Sequence, residues 1–180
     1  MIISAAILMR ERGVEATSFS EVLEHSGAPR GSIYHHFPGG KAQLIEEATR
    51  YAGDYTAAGL ATALADEEPL AAVAGFAAMW REILRDSDYE AGCPVVAATL
   101  EGERSPSARD AAQVAFTRWE ELIARALVPH GLDPERAGSL ATLVIASIEG
   151  AVILSRAQRS KRPLERVMAE LERHLAAALG

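Results

Sequence analysis

The sequence predicts an all-α protein, with a small N-terminal head of three helices and a longer helical body. Three observations carry this. Apolar residues make up 49% of the 180 residues, and they recur at spacings of three and four rather than alternating. Ala and Leu abound, which suits helices. Clusters of Pro, Gly, Asp and Ser interrupt the apolar pattern where helices would end. The length allows one domain or two small ones. The pattern divides the chain into a head, residues 1–45, and a body, residues 46–180.

Residues 2–12 read as a first helix with Ile3, Ala6, Ile7 and Met9 inward, ending near Gly13. Ser18 and Glu21 then fit S-x-x-E, a capping box in which each side chain satisfies a backbone N–H. The helix they open presents Phe19, Val22 and Leu23, and stops at Ser26-Gly27. Pro29 suits the first turn of the next helix, which runs from Arg30 to Phe37 and is closed by Pro38-Gly39-Gly40. Ile33 and Phe37 are four apart and share a packing face. Arg30, Ser32, Tyr34, His35 and His36 are left for other faces, and Gly31 allows a close backbone approach. Such a rim suits a DNA groove: hydroxyls bond phosphates and Arg bonds guanine edges.

Two other readings of this stretch are weaker. His35 and His36 point about 100° apart on a helix, and no Cys or carboxylate is placed to complete a metal site. Gly40-Lys41 does not end a phosphate loop, because His35 stands where the first glycine belongs and Ala42 replaces the hydroxyl.

From Lys41 a long helix follows. Leu44, Ala48, Tyr51, Tyr55 and Ala58 form its stripe as far as about Asp66, roughly 38 Å at 1.5 Å per residue. Asp66-Glu67-Glu68-Pro69 breaks it. Leu70, Val73, Ala77, Trp80 and Leu84 define the next helix, widened by Phe76, Met79 and Ile83 and ended by Asp86-Ser87-Asp88. Gly92-Cys93-Pro94 starts a short helix with Val95, Val96 and Leu100, and Gly102 to Pro106 is a loop. Val114, Phe116, Trp119, Leu122, Ile123 and Leu127 mark a further helix, closed by Pro129-His130-Gly131.

Residues 134–157 are apolar nearly all round, so their helix is buried on every side. In a small protein that means core on one face and a second subunit on the other. Residues 163–179 are one-faced. The pair reads as half of a four-helix dimer bundle, with Leu140, Val144, Ser147, Ala151, Leu154, Leu164, Val167, Leu171 and Leu175 at the interface. Arg156, Arg159, Lys161 and Arg162 are read as compensating the carbonyl end of the first of these helices in preference to forming a second phosphate patch. Glu149 is read as a cross-dimer partner or a solvent-facing edge, ahead of a ligand acceptor.

The net charge is −7, and it is uneven: residues 1–50 carry five cations and six carboxylates. That is slight for a DNA binder, whose affinity comes largely from phosphate neutralisation. It implies a sparse, oriented contact set and two heads acting together. The single cysteine, Cys93, excludes an intrachain disulfide and fits a reducing cytosol; as a lone thiol beside Pro94 it reads as a small buried filler ahead of a redox switch. No signal-peptide pattern opens the chain. The most apolar run, Leu140–Ile148, is too short for a bilayer.

GAPRGSIYHHFPGGK resembles the recognition-helix signature of the TetR family of bacterial transcriptional regulators, and residues 2–48 are similar to that family's whole DNA-binding domain. SIEGAVILSRAQRSKRPL resembles the corresponding region of that family, and GCPVVAATLEGE resembles the branch named for LmrA and YxaF. The resemblance implies that Thr17, Ser18, Arg30, Gly31, Ser32, Tyr34, His35, His36 and Lys41 face double-stranded operator DNA. It also implies an effector cavity in the body. Tyr51, Tyr55, Phe76, Met79, Trp80, Ile83, Cys93, Val96, Leu100, Phe116, Trp119 and Ser147 are its candidate lining, for a small apolar or aromatic ligand. Regulators of this kind usually carry a basic arm before the first helix; either the start lies upstream here or this member makes fewer phosphate contacts.

The expected protein is a cytoplasmic, homodimeric, ligand-released repressor that needs no cofactor, no metal and no membrane. The rivals are a non-DNA adaptor on the same fold and, with no catalytic constellation to support it, an enzyme using the body cavity.

Overall fold

The computed structural model describes residues 1–66, 68–101 and 105–180, with Asp66 described by its backbone alone. The described residues form nine α-helices and no strand, as the periodicity predicts. In order they are α1 (Ile2–Arg12), α2 (Phe19–Ser26), α3 (Ser32–His36), α4 (Gly40–Asp66), α5 (Pro69–Asp86), α6 (Pro94–Thr99), α7 (Pro106–Leu127), α8 (Pro134–Gln158) and α9 (Arg162–Leu179). A 3-10 turn, Val128–His130, follows α7. The break expected at Asp66–Pro69 and the loop expected at Gly102–Pro106 fall partly outside the described residues, but Pro69 and Pro106 do open α5 and α7.

The chain forms two compact units. One comprises residues 1–55 and 91–115, the other residues 56–90 and 116–180. The expected head lies wholly in the first unit, which also takes in α6 and the first half of α7.

In the first unit Leu8, Met9, Val22, Ile33, Phe37, Leu44, Ile45 and Val95 are buried. The phase of α1 is only partly as expected: Ala6 and Met9 point inward together with Ala5 and Leu8, while Ile7 is half-buried and Ile3 is 55% exposed. The cause is a second neighbour, since α1 packs on α6 as well as α2. The Gly92 amide reinforces this by donating to the Arg10 carbonyl at 2.8 Å. The expected stripe of α4 holds at Leu44 and Ala48, which are buried, and departs from Tyr51 onward. A Cβ at Gly53 would lie 2.6 Å from the Ala115 Cβ, so α4 and α7 cross with almost no space between them. Residues two apart point about 200° apart on a helix. The Gly53 side therefore turns inward, and Tyr51 and Tyr55 turn outward.

In the second unit α8 packs on α5 and α9. Trp80, Leu84, Trp119, Ile123, Leu140, Val144, Ile148, Leu164, Leu171 and Leu175 are buried there. This revises the expected interface. Leu140, Val144, Ala151, Leu164, Leu171 and Leu175 are buried within one chain, because α9 and α5 already cover that side of α8. The uncovered side of α8 carries Leu143, Ile153 and Leu154, with Ser147 and Val167 of α9 half-buried. Glu149 is 7% exposed, which overturns the solvent-facing reading. By length and composition α8 as a whole, unlike its most apolar run, reaches what a bilayer crossing needs; half of its most apolar window is buried in the unit, as in a core helix.

Candidate nucleic-acid interface

The interface is built on local geometry that the sequence dictates. The capping box forms in full: Ser18 N donates to Glu21 Oε2 at 3.0 Å, and Glu21 N donates to Ser18 Oγ at 3.2 Å. The Ser18 N–H and the Ser18 hydroxyl, which also donates to Glu21 Oε2 at 2.9 Å, hold the Glu21 carboxyl below its ordinary range, assisted by Arg12 at 3.4 Å. Gly27 ends α2 with φ at 67°, a conformation glycine adopts without penalty. The chain turns at once into α3.

That helix is shorter than expected, five residues rather than eight. Pro29 and Arg30 belong to the turn before it, where the Pro29 carbonyl accepts from both Ser32 N (3.0 Å) and Ser32 Oγ (2.7 Å). The division of faces is as predicted. Ile33 and Phe37 are buried, while Arg30, Gly31, Tyr34, His35 and His36 are exposed. Tyr34 is 70% exposed, yet its ring is set: Phe19 of α2 meets it edge-on, centroids 5.5 Å apart. A propped aromatic loses less freedom when it docks. Phe19 is thus a supporting residue that the sequence reading treated only as packing.

Other candidates are engaged inside the unit. Thr17 is fully buried, and its hydroxyl donates to the Gly13 carbonyl at 2.8 Å, so it braces the α1–α2 turn and is not a surface donor. Ser18 is half-buried in the capping box. Lys41 Nζ donates to the Glu15 carbonyl at 2.8 Å, which ties the start of α4 to the same turn and leaves two ammonium hydrogens for other acceptors. Gln43 closes the turn before α4: its Oε1 accepts from Gly39 N at 2.8 Å. A Gln in the first turn of a helix is a capping signal in the sequence that went unread.

The candidate effector residues fall in both units. In the first, Tyr51 and Tyr55 stack in the open, centroids 6.3 Å apart and Tyr55 68% exposed. There Cys93 is buried as the cap of α6, Val96 is half-buried and Leu100 is 80% exposed. The interior position expected for Tyr51, Tyr55 and Leu100 is therefore not what this unit provides. In the second unit the aromatic set is real. Phe76 meets Trp80 and Trp119 edge-on, each pair 6.4 Å apart, and Phe116 meets Trp119 at 5.2 Å. Met79 and Ile83 are half-buried. The Trp80 indole N–H is buried and has no hydrogen-bond partner among the described residues.

Comparisons with known proteins agree with this geometry. Residues 2–48 match the family "Bacterial regulatory proteins, tetR family", and residues 69–170 match "Transcriptional regulator LmrA/YxaF-like, C-terminal domain". The uncharacterized HTH-type transcriptional regulator MT0206 of Mycobacterium tuberculosis is 43% identical over 185 residues, covering 99% of this chain and 94% of that protein. The HTH-type transcriptional regulator LmrA of Bacillus subtilis is 31% identical over 166 residues, covering 91% and 88%. The crystal structure of regulatory protein TetR from Rhodobacter sphaeroides shares the fold, with a TM-score of 0.84 at 24% identity over 96% of each chain. These families are transcriptional regulators and not enzymes. With a capped helix-turn-helix presenting Arg30, Tyr34, His35 and His36, and family matches over both parts of the chain, the protein belongs to the TetR family of DNA-binding transcriptional regulators, in its LmrA/YxaF-like branch.

Proposed function

We propose that the protein is a cytoplasmic homodimeric repressor that reads a palindromic operator and leaves it when a small apolar or aromatic effector binds. It divides at residues 45 and 46 into a reading head and a sensing body, and works without a cofactor or a membrane. The observation that carries the reading is the face of α3: Tyr34, His35 and His36 stand exposed beside Arg30, on a helix whose other side is locked by Ile33 and Phe37. Two such helices would enter successive major grooves roughly 34–36 Å apart.

Support for a dimer comes from the uncovered apolar side of α8. An open groove of about 530 Å³ runs along α8 and α9, lined by Leu143, Ser147, Val167, Leu171 and Ala177 with Arg166, Glu170, Arg173 and His174. Support for an effector comes from the aromatic set of the second unit. The Trp80 N–H there finds no acceptor among the described residues, and leaving a buried donor unmade is costly. An aromatic ligand carrying a carbonyl or similar acceptor would satisfy it. The effector must bind the DNA-incompetent pose of α4 more tightly, since only differential affinity shifts populations.

Gel shifts on the region upstream of the gene test the reading. Affinity should fall steeply with salt, and Tyr34→Ala should lose at least about tenfold, the equivalent of one good contact. DNA binding that ignores both salt and Tyr34→Ala would sink it and favour the adaptor.

A further inference from the structure

Among the described residues, the only non-glycine residues with positive φ are Asp88 (49°), Tyr89 (65°) and Arg159 (45°). The left-handed region is disfavoured for L side chains, and these three meet at one place. Asp88 and Tyr89 finish α5: the Tyr89 amide donates to the Leu84 carbonyl at 2.7 Å and the Asp88 amide to Arg85 at 3.1 Å. Arg159 finishes α8 in the same way, with Ser160 N bonded to Ser155 O at 3.0 Å and Arg159 N to Arg156 O at 3.2 Å. Both are Schellman closures, which usually place glycine at the left-handed position. Here the two left-handed residues are an acid and a base, and they are bonded to each other. The Arg159 guanidinium holds Asp88 with one arm and Glu90 Oε1 with the other, the latter at 2.7 Å, while Arg156 Nη2 donates to the Glu90 carbonyl at 2.8 Å.

The chain passes from the second unit to the first between Glu90 and Ala91. One residue later, the Gly92 amide closes the end of α1 at the Arg10 carbonyl. We propose that Arg159 is a positioning residue for operator binding: by clamping Asp88 and Glu90 to the end of α8, it sets the stretch of backbone that caps α1. The order of α8 is thereby passed to the DNA-reading unit through the chain itself. The operator half of this proposal rests on the repressor reading; the clamp half does not.

Glycine substitution separates the clamp from the fold. Arg159→Gly and Asp88→Gly keep the left-handed caps, indeed relax them, and remove only the charged arm. Their melting temperatures should not fall. Amide exchange at Gly92 should quicken by about fivefold in Arg159→Gly, and affinity for a duplex from the gene's own upstream region should weaken by a similar factor. Arg159→Lys, with its charge but no fork, should fall between. Arg125→Ala, which removes a comparable exposed pair with Glu121, should change neither readout. Unchanged Gly92 exchange in Arg159→Gly overturns the clamp. Quickened exchange with unchanged DNA affinity overturns its role in operator binding. Failure of the wild-type protein to bind any such duplex sinks the repressor reading, and the operator half of this proposal with it.

Discussion

Tyr34 and Ser18 illustrate what single residues contribute to the reading head. Tyr34 stands exposed with Phe19 edge-on against its ring. Ser18 opens α2 through the box with Glu21. Replacing Ser18 with Ala should cost about 1 kcal/mol, read from urea unfolding. The same site gives a sign for pH. The folded Glu21 carboxyl titrates below its ordinary value because the Ser18 N–H and hydroxyl favour its charged form. Its contribution is therefore present above the ordinary glutamate range and lost as pH falls through the lower folded value. An NMR titration should find Glu21 low in the wild type and only partly raised in Ser18→Ala, which loses the hydroxyl but keeps the backbone N–H. The box was legible in the sequence because it depends only on a spacing of three. The internal bonds of Thr17 and Ser32 were not, because they depend on where the Gly13 and Pro29 carbonyls point after a turn.

Helices were legible as elements, and less so in phase. The ends of α1 and α4 and the start of α5 fall where Gly, Asp and Pro place them. Sequence reading went astray on which side faces inward, and always for the same reason. A helix with apolar residues on several sides does not declare its phase; its neighbours do. For α1 the deciding neighbour is α6, for α4 it is α7, and for α8 it is α9. Gly53 is the sharpest case. Exchanging it for Ala would improve helix propensity by up to about 1 kcal/mol, yet the new methyl has only 2.6 Å to the Ala115 Cβ. The net result should be destabilisation by roughly 1–3 kcal/mol, visible in the urea midpoint. A neutral or stabilised Gly53→Ala protein would mean that the crossing of α4 and α7 is looser than described.

For the whole molecule, the proposed dimer would divide folding from assembly between the two sides of α8. Leu140 is buried inside one chain and Leu154 is exposed on the other side. Leu154→Arg should leave the helical content intact while light scattering reports a monomer. Leu140→Arg should fail to fold, because a charge would lack a partner in the core. If Leu154→Arg remains dimeric, the dimer uses another surface. The candidate effector residues were the least legible part. The resemblance placed Phe76, Trp80, Phe116 and Trp119 among the candidate lining, and their rings do meet. It also drew in Tyr51 and Tyr55, which stand on the open side of α4.

The division into two units has a consequence for how the protein comes apart. Both α4 and α7 run unbroken from one unit into the other. Melting either unit alone would leave half of each helix without its support, so the units should lose structure in one step. Both tryptophans, Trp80 and Trp119, lie in the second unit, whereas circular dichroism sees helices everywhere. The two signals should trace a single thermal transition, and a gap between them would reveal a head able to melt on its own.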